Sequence, residues 1–138
     1  MNYELRKTYL GVDWGEARIG LALADGETKI ATPFKTVGDI DEVARIVADE
    51  EIDMVIVGEP TSIKNYELKI TNEKYNRFIA DLKSKLKIPI ELVDERLTSK
   101  AGDALVGDKK TKASRDEIAA MLILQSYLDT KKTNERTK

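Results

Sequence analysis

Cysteine and histidine are both absent from the 138 residues of this chain. A thiol nucleophile, a serine-histidine-aspartate triad and a zinc site built on sulfur and imidazole each need one of the missing residues, so all three are excluded. Disulfides are excluded too, which suits a reducing compartment. Any metal has to sit on carboxylate oxygens, and such donors suit hard cations, Mg2+ or Mn2+. A long apolar run is also missing. Nothing approaches the roughly 20 residues needed to cross a bilayer, and Met1 to Lys7 lacks the apolar core of a signal peptide, so a cytoplasmic location is expected. Finally, there is no excess of positive charge. A net charge of -2 argues against bulk attraction to polyanions and directs attention to local basic groups.

What is present is a balance of 41% hydrophobic and 35% charged residues, as in a globular chain with a densely charged surface. No repeat, low-complexity tract or Pro/Gly/Ser linker divides it. Residues 1–130 read as one domain, and 131–138, with Lys131, Lys132, Arg136 and Lys138, as a basic flexible tail. The first third predicts a three-strand meander, Thr8 to Asp13, Arg18 to Ala24 and Ile30 to Thr36, with turns at Gly15 and at Asp25-Gly26. In the second strand Ile19, Leu21 and Leu23 alternate with Gly20, Ala22 and Ala24. One face is bulky and the other small, so a helix could pack closely on the small side.

Asp39 and Glu42 have the spacing of a capping box, opening a short helix with Val43, Ala44, Ile46 and Val47 as its apolar positions. Met54 to Val57 runs without a polar break, as in a parallel strand covered on both faces, and Gly58, Glu59 and Pro60 are expected to end it. Tyr75, Phe78, Ile79, Leu82 and Leu86 predict an amphipathic helix over Glu67 to Lys87. A last strand, Ile90 to Asp94, follows Pro89 and should lie at an edge, where a missing N-H leaves no interior ladder bond empty. Helical residues then continue to Thr130. The sum is an α/β fold with a mixed five-stranded sheet, a meander plus two parallel strands reached by helical crossovers. In such sheets ligands gather beyond the carboxyl ends of the strands.

Three acids are candidates for such a site, two of them at strand ends. Asp13 closes the first strand between Gly11 and Gly15, Glu95 follows the fifth, and Asp116 opens the last helix after Ser114. Each taken singly has an ordinary explanation as a surface or capping residue. Asp116 shares a helix face with Ala119, Ala120 and Ile123, which turns it toward the sheet, although periodicity alone does not separate it from Glu117. Gathered together, three carboxylates would repel and raise one another's pKa unless cations neutralised them. The expected arrangement has Asp13 bridging two ions roughly 4 Å apart, with Glu95 and Asp116 completing their shells. Lys109, Lys110, Lys112 and Arg115 precede the last helix and could hold phosphates there. Glu59 is a rival carboxylate, read as an exposed loop acid.

The segments Leu10 to Gly15 with Arg18 to Ala22, Val93 to Thr98, and Asp116 to Ala120 with Ile123 to Gln125 together resemble the YqgF family, also called RuvX. The resemblance spans nearly the whole chain. It implies an RNase H-like fold and a nuclease of precursor 16S ribosomal RNA or of Holliday junctions, with nucleic acid as partner and homodimerisation or ribosome association as further expectations. Carried over by position, its acids fall on Asp13, Glu95 and Asp116, with Arg18 and Arg96 in support. The chain departs from the family where Gly-Leu-Pro and a glycine-containing loop are usual, since it has Gly58-Glu59-Pro60 and no glycine from Thr61 to Thr71. Two competing classes remain. Asp13-Trp14-Gly15 followed by Gly20 also resembles the first phosphate loop of actin and sugar-kinase ATPases, which close two lobes where this chain supplies one. A binding module that cuts nothing would have little need of all three acids.

Overall fold

A computed structural model of the chain describes residues 7–59, 66–94 and 114–136. Its elements run β1 (Thr8–Trp14), β2 (Ile19–Asp25), β3 (Thr32–Val37), α1 (Ile40–Asp49), β4 (Met54–Glu59), α2 (Tyr66–Lys85), β5 (Ile90–Asp94) and α3 (Arg115–Arg136). The sheet order is β3-β2-β1-β4-β5. β1, β2 and β3 pair antiparallel as the meander, and β4 and β5 run parallel to β1 and to each other. β5 takes the expected edge, with Pro89 before it. The Asp53 carboxylate accepts from the N-H of Thr8 at 2.8 Å while the N-H of Asp53 donates to the Thr8 carbonyl at 2.8 Å. This reciprocal clasp sets the register in which Tyr9 lies beside Met54.

Strand alternation sorts the core into two layers. Leu10, Val12, Leu21, Val55 and Val57 face α1 and α2, where Val43, Ile46, Tyr75, Phe78, Ile79 and Leu82 complete the larger cluster. Tyr9, Ala22, Ala24 and Ile56 face α3 and meet Ala120, Ile123, Leu124 and Leu128. Asp39 caps α1 by accepting from the Glu42 N-H at 3.0 Å, and the Glu42 carboxylate returns to the Gly38 N-H at 2.6 Å. The expected cap is present, with the return bond displaced by one residue. An ion pair of 2.9 Å joins Lys85 of α2 to Asp41 of α1, and that carboxylate raises the lysine pKa above its ordinary value. Among the described residues no helix is long and apolar enough to cross a membrane.

Several boundaries differ from the sequence reading, and three of the differences have a visible cause or consequence. β3 begins at Thr32 rather than Ile30, which is 60% exposed in the preceding turn. The Ala31 N-H donates not to a strand but to Gln125 Oε1 of α3 at 2.9 Å, and Gln125 Nε2 donates to the Lys29 carbonyl at 3.0 Å. The pairing of β2 with β3 shifts between Leu21 and Ala22, because β3 carries an extra residue, Phe34, between Pro33 and Lys35, a bulge in β3. Second, Gly58 and Glu59 do not end β4 but belong to it, paired with Val93 and Asp94. Third, α3 runs on to Arg136, so the residues from 131 continue the helix instead of leaving it at Thr130.

Candidate active site

Of the three candidate acids, Asp13 and Asp116 fall among the described residues. Glu95 follows β5 directly in the chain and lies outside them, as do Arg96, Lys109, Lys110 and Lys112.

The direction of Asp13 is fixed by its neighbour. Trp14 packs edge-on against Tyr75, with ring centroids 5.9 Å apart, and lies 6.1 Å from Phe78, which commits it to the α1/α2 face. Consecutive strand residues point to opposite faces, so Asp13 is on the α3 side with Tyr9 and Gly11. A slip of one residue would drive the carboxylate into the larger core. Asp13 is half-buried at the end of β1.

Asp116 arrives from the helix above. The cross-strand partner of Asp13 is Gly20, and a Cβ placed on Gly20 would lie 2.8 Å from the Asp116 Cβ and collide with the Asp116 carbonyl oxygen. The first turn of α3 therefore rests on bare backbone, about one strand spacing of roughly 5 Å from the Asp13 Cα. Gly11 serves the same approach two turns on, since a Cβ there would lie 2.7 Å from the Leu124 Cβ and 2.8 Å from the Ala120 carbonyl oxygen. The small face of β2 read from the sequence is thus where the helix sits, and it brings two acids from distant segments to one corner.

Around that corner the side chains divide. Asp116 Oδ2 lies 3.2 Å from Arg18 Nε, with the arginine 72% and the aspartate 27% exposed. An ion pair so open to solvent contributes about 0.2–1 kcal/mol, so a stronger cation can take the carboxylate. Glu117 turns the other way. Its carboxylate accepts from Thr36 Oγ1 of β3 at 2.8 Å, its N-H donates to Ser114 Oγ at 3.2 Å, and the Thr36 and Ser114 hydroxyls lie 3.0 Å apart. Ser114 is the expected N-cap, while the Glu117 carboxylate is engaged across the sheet. This separates the two acids that periodicity left together. Arg115 is exposed at the first position of α3.

Glu59 is exposed, as expected, but in a strand rather than a loop. Val55 and Val57 of β4 face the larger core, so alternation puts Glu59 on that side and away from Asp13. An open groove at the turn between β2 and β3, bordered by Leu23, Asp25 and Ile30, lies at the far end of β2 from Gly20. Among the described residues no group of three or more acids is close enough to hold a metal; the two that converge are Asp13 and Asp116. Their oxygens, with no thiol or imidazole anywhere in the chain, are a donor set that fits Mg2+ or Mn2+. Thr36 was not singled out from the sequence. Its one signal was its place in the meander, opposite Gly20 and two strands from Asp13.

This architecture is shared with proteins that act on branched DNA. The chain superposes on Thermus thermophilus RuvC, solved in complex with a Holliday junction substrate, with a TM-score of 0.64, covering 92% of this chain and 96% of that one at 13% identity. It superposes on the Fowlpox virus resolvase, solved with Holliday junction DNA, with a TM-score of 0.53, covering 89% and 97% at 15% identity. Likeness at such low identity defines the class by fold alone, and that fold is RNase H-like. The sequence goes further, because residues 7–130 match the profile of RuvX, described as Holliday junction resolvase, and the chain belongs to that family. Relatives named "Putative pre-16S rRNA nuclease" include one from Chloroflexus aurantiacus, 36% identical over 91% of this chain and 88% of its own. Another, from Natranaerobius thermophilus, is 38% identical over 87% and 92%.

Proposed function

We propose that the chain is a divalent-metal-dependent nuclease that hydrolyses phosphodiester bonds of precursor 16S ribosomal RNA, with residues 1–130 forming the nuclease unit. The observation that supports this is the placement of Asp13 at the end of β1, one strand from the point where Asp116 rests on Gly20. Asp13, Asp116 and Glu95 would hold Mg2+ or Mn2+. Such ions, when bound, activate a water and neutralise the leaving oxygen. The chain's own part is to aim the oxygens: Trp14 fixes the direction of Asp13, and the Gly20 cradle sets the height of Asp116. Arg18, 72% exposed beside Asp116, would receive a phosphate, and Arg115 at the start of α3 would do the same. Arg96, Lys109, Lys110 and Lys112 would extend this basic border. RNA as substrate rests on the names of the curated relatives, which also favour a site of action at the ribosome and in the cytoplasm.

A second reading takes a four-way DNA junction as the substrate, favoured by the description of the matching family. A junction has two-fold symmetry, so this reading calls for a homodimer. Both are tested together by offering the purified protein, with Mg2+ or Mn2+, a ribosomal RNA precursor and a four-way junction. Cleavage of the RNA, reduced more than about 100-fold in Asp13→Asn, supports the proposal; that figure is the upper end of what losing a group behind a ligand costs. Cleavage of the junction alone transfers the activity to DNA. Cleavage that survives Asp13→Asn removes the proposed site.

A further inference from the structure

We infer that Thr36 and Glu117 are positioning residues for the candidate metal site, fixing the first turn of α3 so that Asp116 faces Asp13; this rests on the proposed metal-holding role of those acids. Donor counting gives the network a direction. An ionised carboxylate only accepts, so the single proton of Thr36 goes to Glu117 Oε2 at 2.8 Å. The 3.0 Å contact between the Thr36 and Ser114 hydroxyls must then use the Ser114 proton, and Ser114 Oγ in turn accepts from the Glu117 N-H at 3.2 Å. The chain of bonds closes on itself, from Ser114 to Thr36 to Glu117 and back to Ser114. Asp116 lies between Ser114 and Glu117 in sequence and takes no part in it.

The sheet end of the network is placed as firmly. Asp13, Gly20 and Thr36 form one row across β1, β2 and β3, with Gly20 paired to both. Asp116 rests on the middle of that row while its successor, Glu117, is held at the β3 end. A helix resting on a glycine has no side chain beneath it to stop it from sliding or rolling. The Thr36 hydroxyl supplies that stop, so the edge strand sets where the Asp116 oxygens lie relative to β1. A simple helix cap would not need this. Ser114 already satisfies an N-H of the first turn, and the Glu117 carboxylate could have stayed in solvent.

The test measures Mn2+ binding to the free protein by the paramagnetic resonance of the unbound ion, beside a thermal melt of each variant. Thr36→Val and Glu117→Ala are expected to weaken Mn2+ binding about tenfold or more, the usual cost of losing a group that orients a ligand. Thr36→Ser and Glu117→Gln, which keep a donor and an acceptor in place, should stay within about twofold of the parent, well inside that range. Gln125→Leu is the control. It loosens α3 from the turn before β3, far from the acids, and should lower the melting temperature while leaving Mn2+ binding unchanged. Wild-type binding in Thr36→Val overturns the inference, as does an equal loss in Gln125→Leu. A loss in Glu117→Gln as large as in Glu117→Ala also overturns it, making Glu117 a ligand. Asp116→Asn separates the two levels: if it binds Mn2+ as well as the parent, the metal site itself fails and the positioning role falls with it. If it alone loses binding, only the positioning role fails.

Discussion

The two faces of the sheet are built on opposite plans. Toward α1 and α2 the strands present Leu10, Val12, Leu21, Val55 and Val57, and large side chains on both sides fill the gap between backbones. Toward α3, beside Tyr9 and Ile56, they present Gly11, Gly20, Ala22 and Ala24, and the helix meets these small residues with Ala120, Leu124 and the backbone of Asp116. The first plan gains stability from apolar area. The second gives up side-chain volume so that a helix backbone comes down to the sheet, carrying a carboxylate to the level of a strand end. Burying area and delivering a charged group are separate tasks, and here each has its own face.

Three substitutions would break or sharpen this contrast, ranked by their effect on Mn2+ binding. Gly20→Ala adds one carbon where the Asp116 carbonyl already stands. It should lift the first turn of α3, lower Mn2+ affinity by at least about tenfold, and cost about 3 kcal/mol in urea unfolding, the upper part of the range for overpacking. Arg18→Ala acts on the charge alone. Removing a cation 3.2 Å from Asp116 should strengthen Mn2+ binding, by up to about fivefold given the modest worth of an exposed pair, while weakening nucleic-acid binding and flattening its salt dependence. Leu82→Ala, fully buried on the other face, should cost about 2–5 kcal/mol and leave Mn2+ affinity where it was. Were Leu82→Ala to weaken Mn2+ binding as much as Gly20→Ala, the two faces would not be independent.

The division between the faces was legible in the chain, because alternation of large and small residues along β2 is a local pattern with one geometric meaning. So was the edge position of β5, since Pro89 stands immediately before it. What escaped were features decided by distant partners. Ile30 has the makings of a strand residue, but Gln125, 94 positions beyond Ala31, holds the preceding turn instead. Glu59 sits between glycine and proline as in a turn, yet parallel pairing to Asp94 keeps it in β4. At the site, Asp13 and Asp116 could be read as strand-end and helix-start acids. The split between Asp116 and Glu117 could not, because it depends on which neighbour, Arg18 or Thr36, lies across the sheet. Helical periodicity gives a face; it does not say what waits opposite.

Pro33 and the bulge at Phe34 also shape how copies of this chain can meet. β3 is the outermost strand on its side, and there it offers one amide fewer than a regular ribbon, an uneven repeat, and the exposed ammonium of Lys35. A foreign strand laid along it would find its hydrogen bonds out of step after two or three residues, so this flank resists fibril-like growth and sheet-to-sheet joining. A partner strand therefore finds no regular ladder on this flank, and Thr36 keeps its place near the end of that strand, in one row with Gly20 and Asp13.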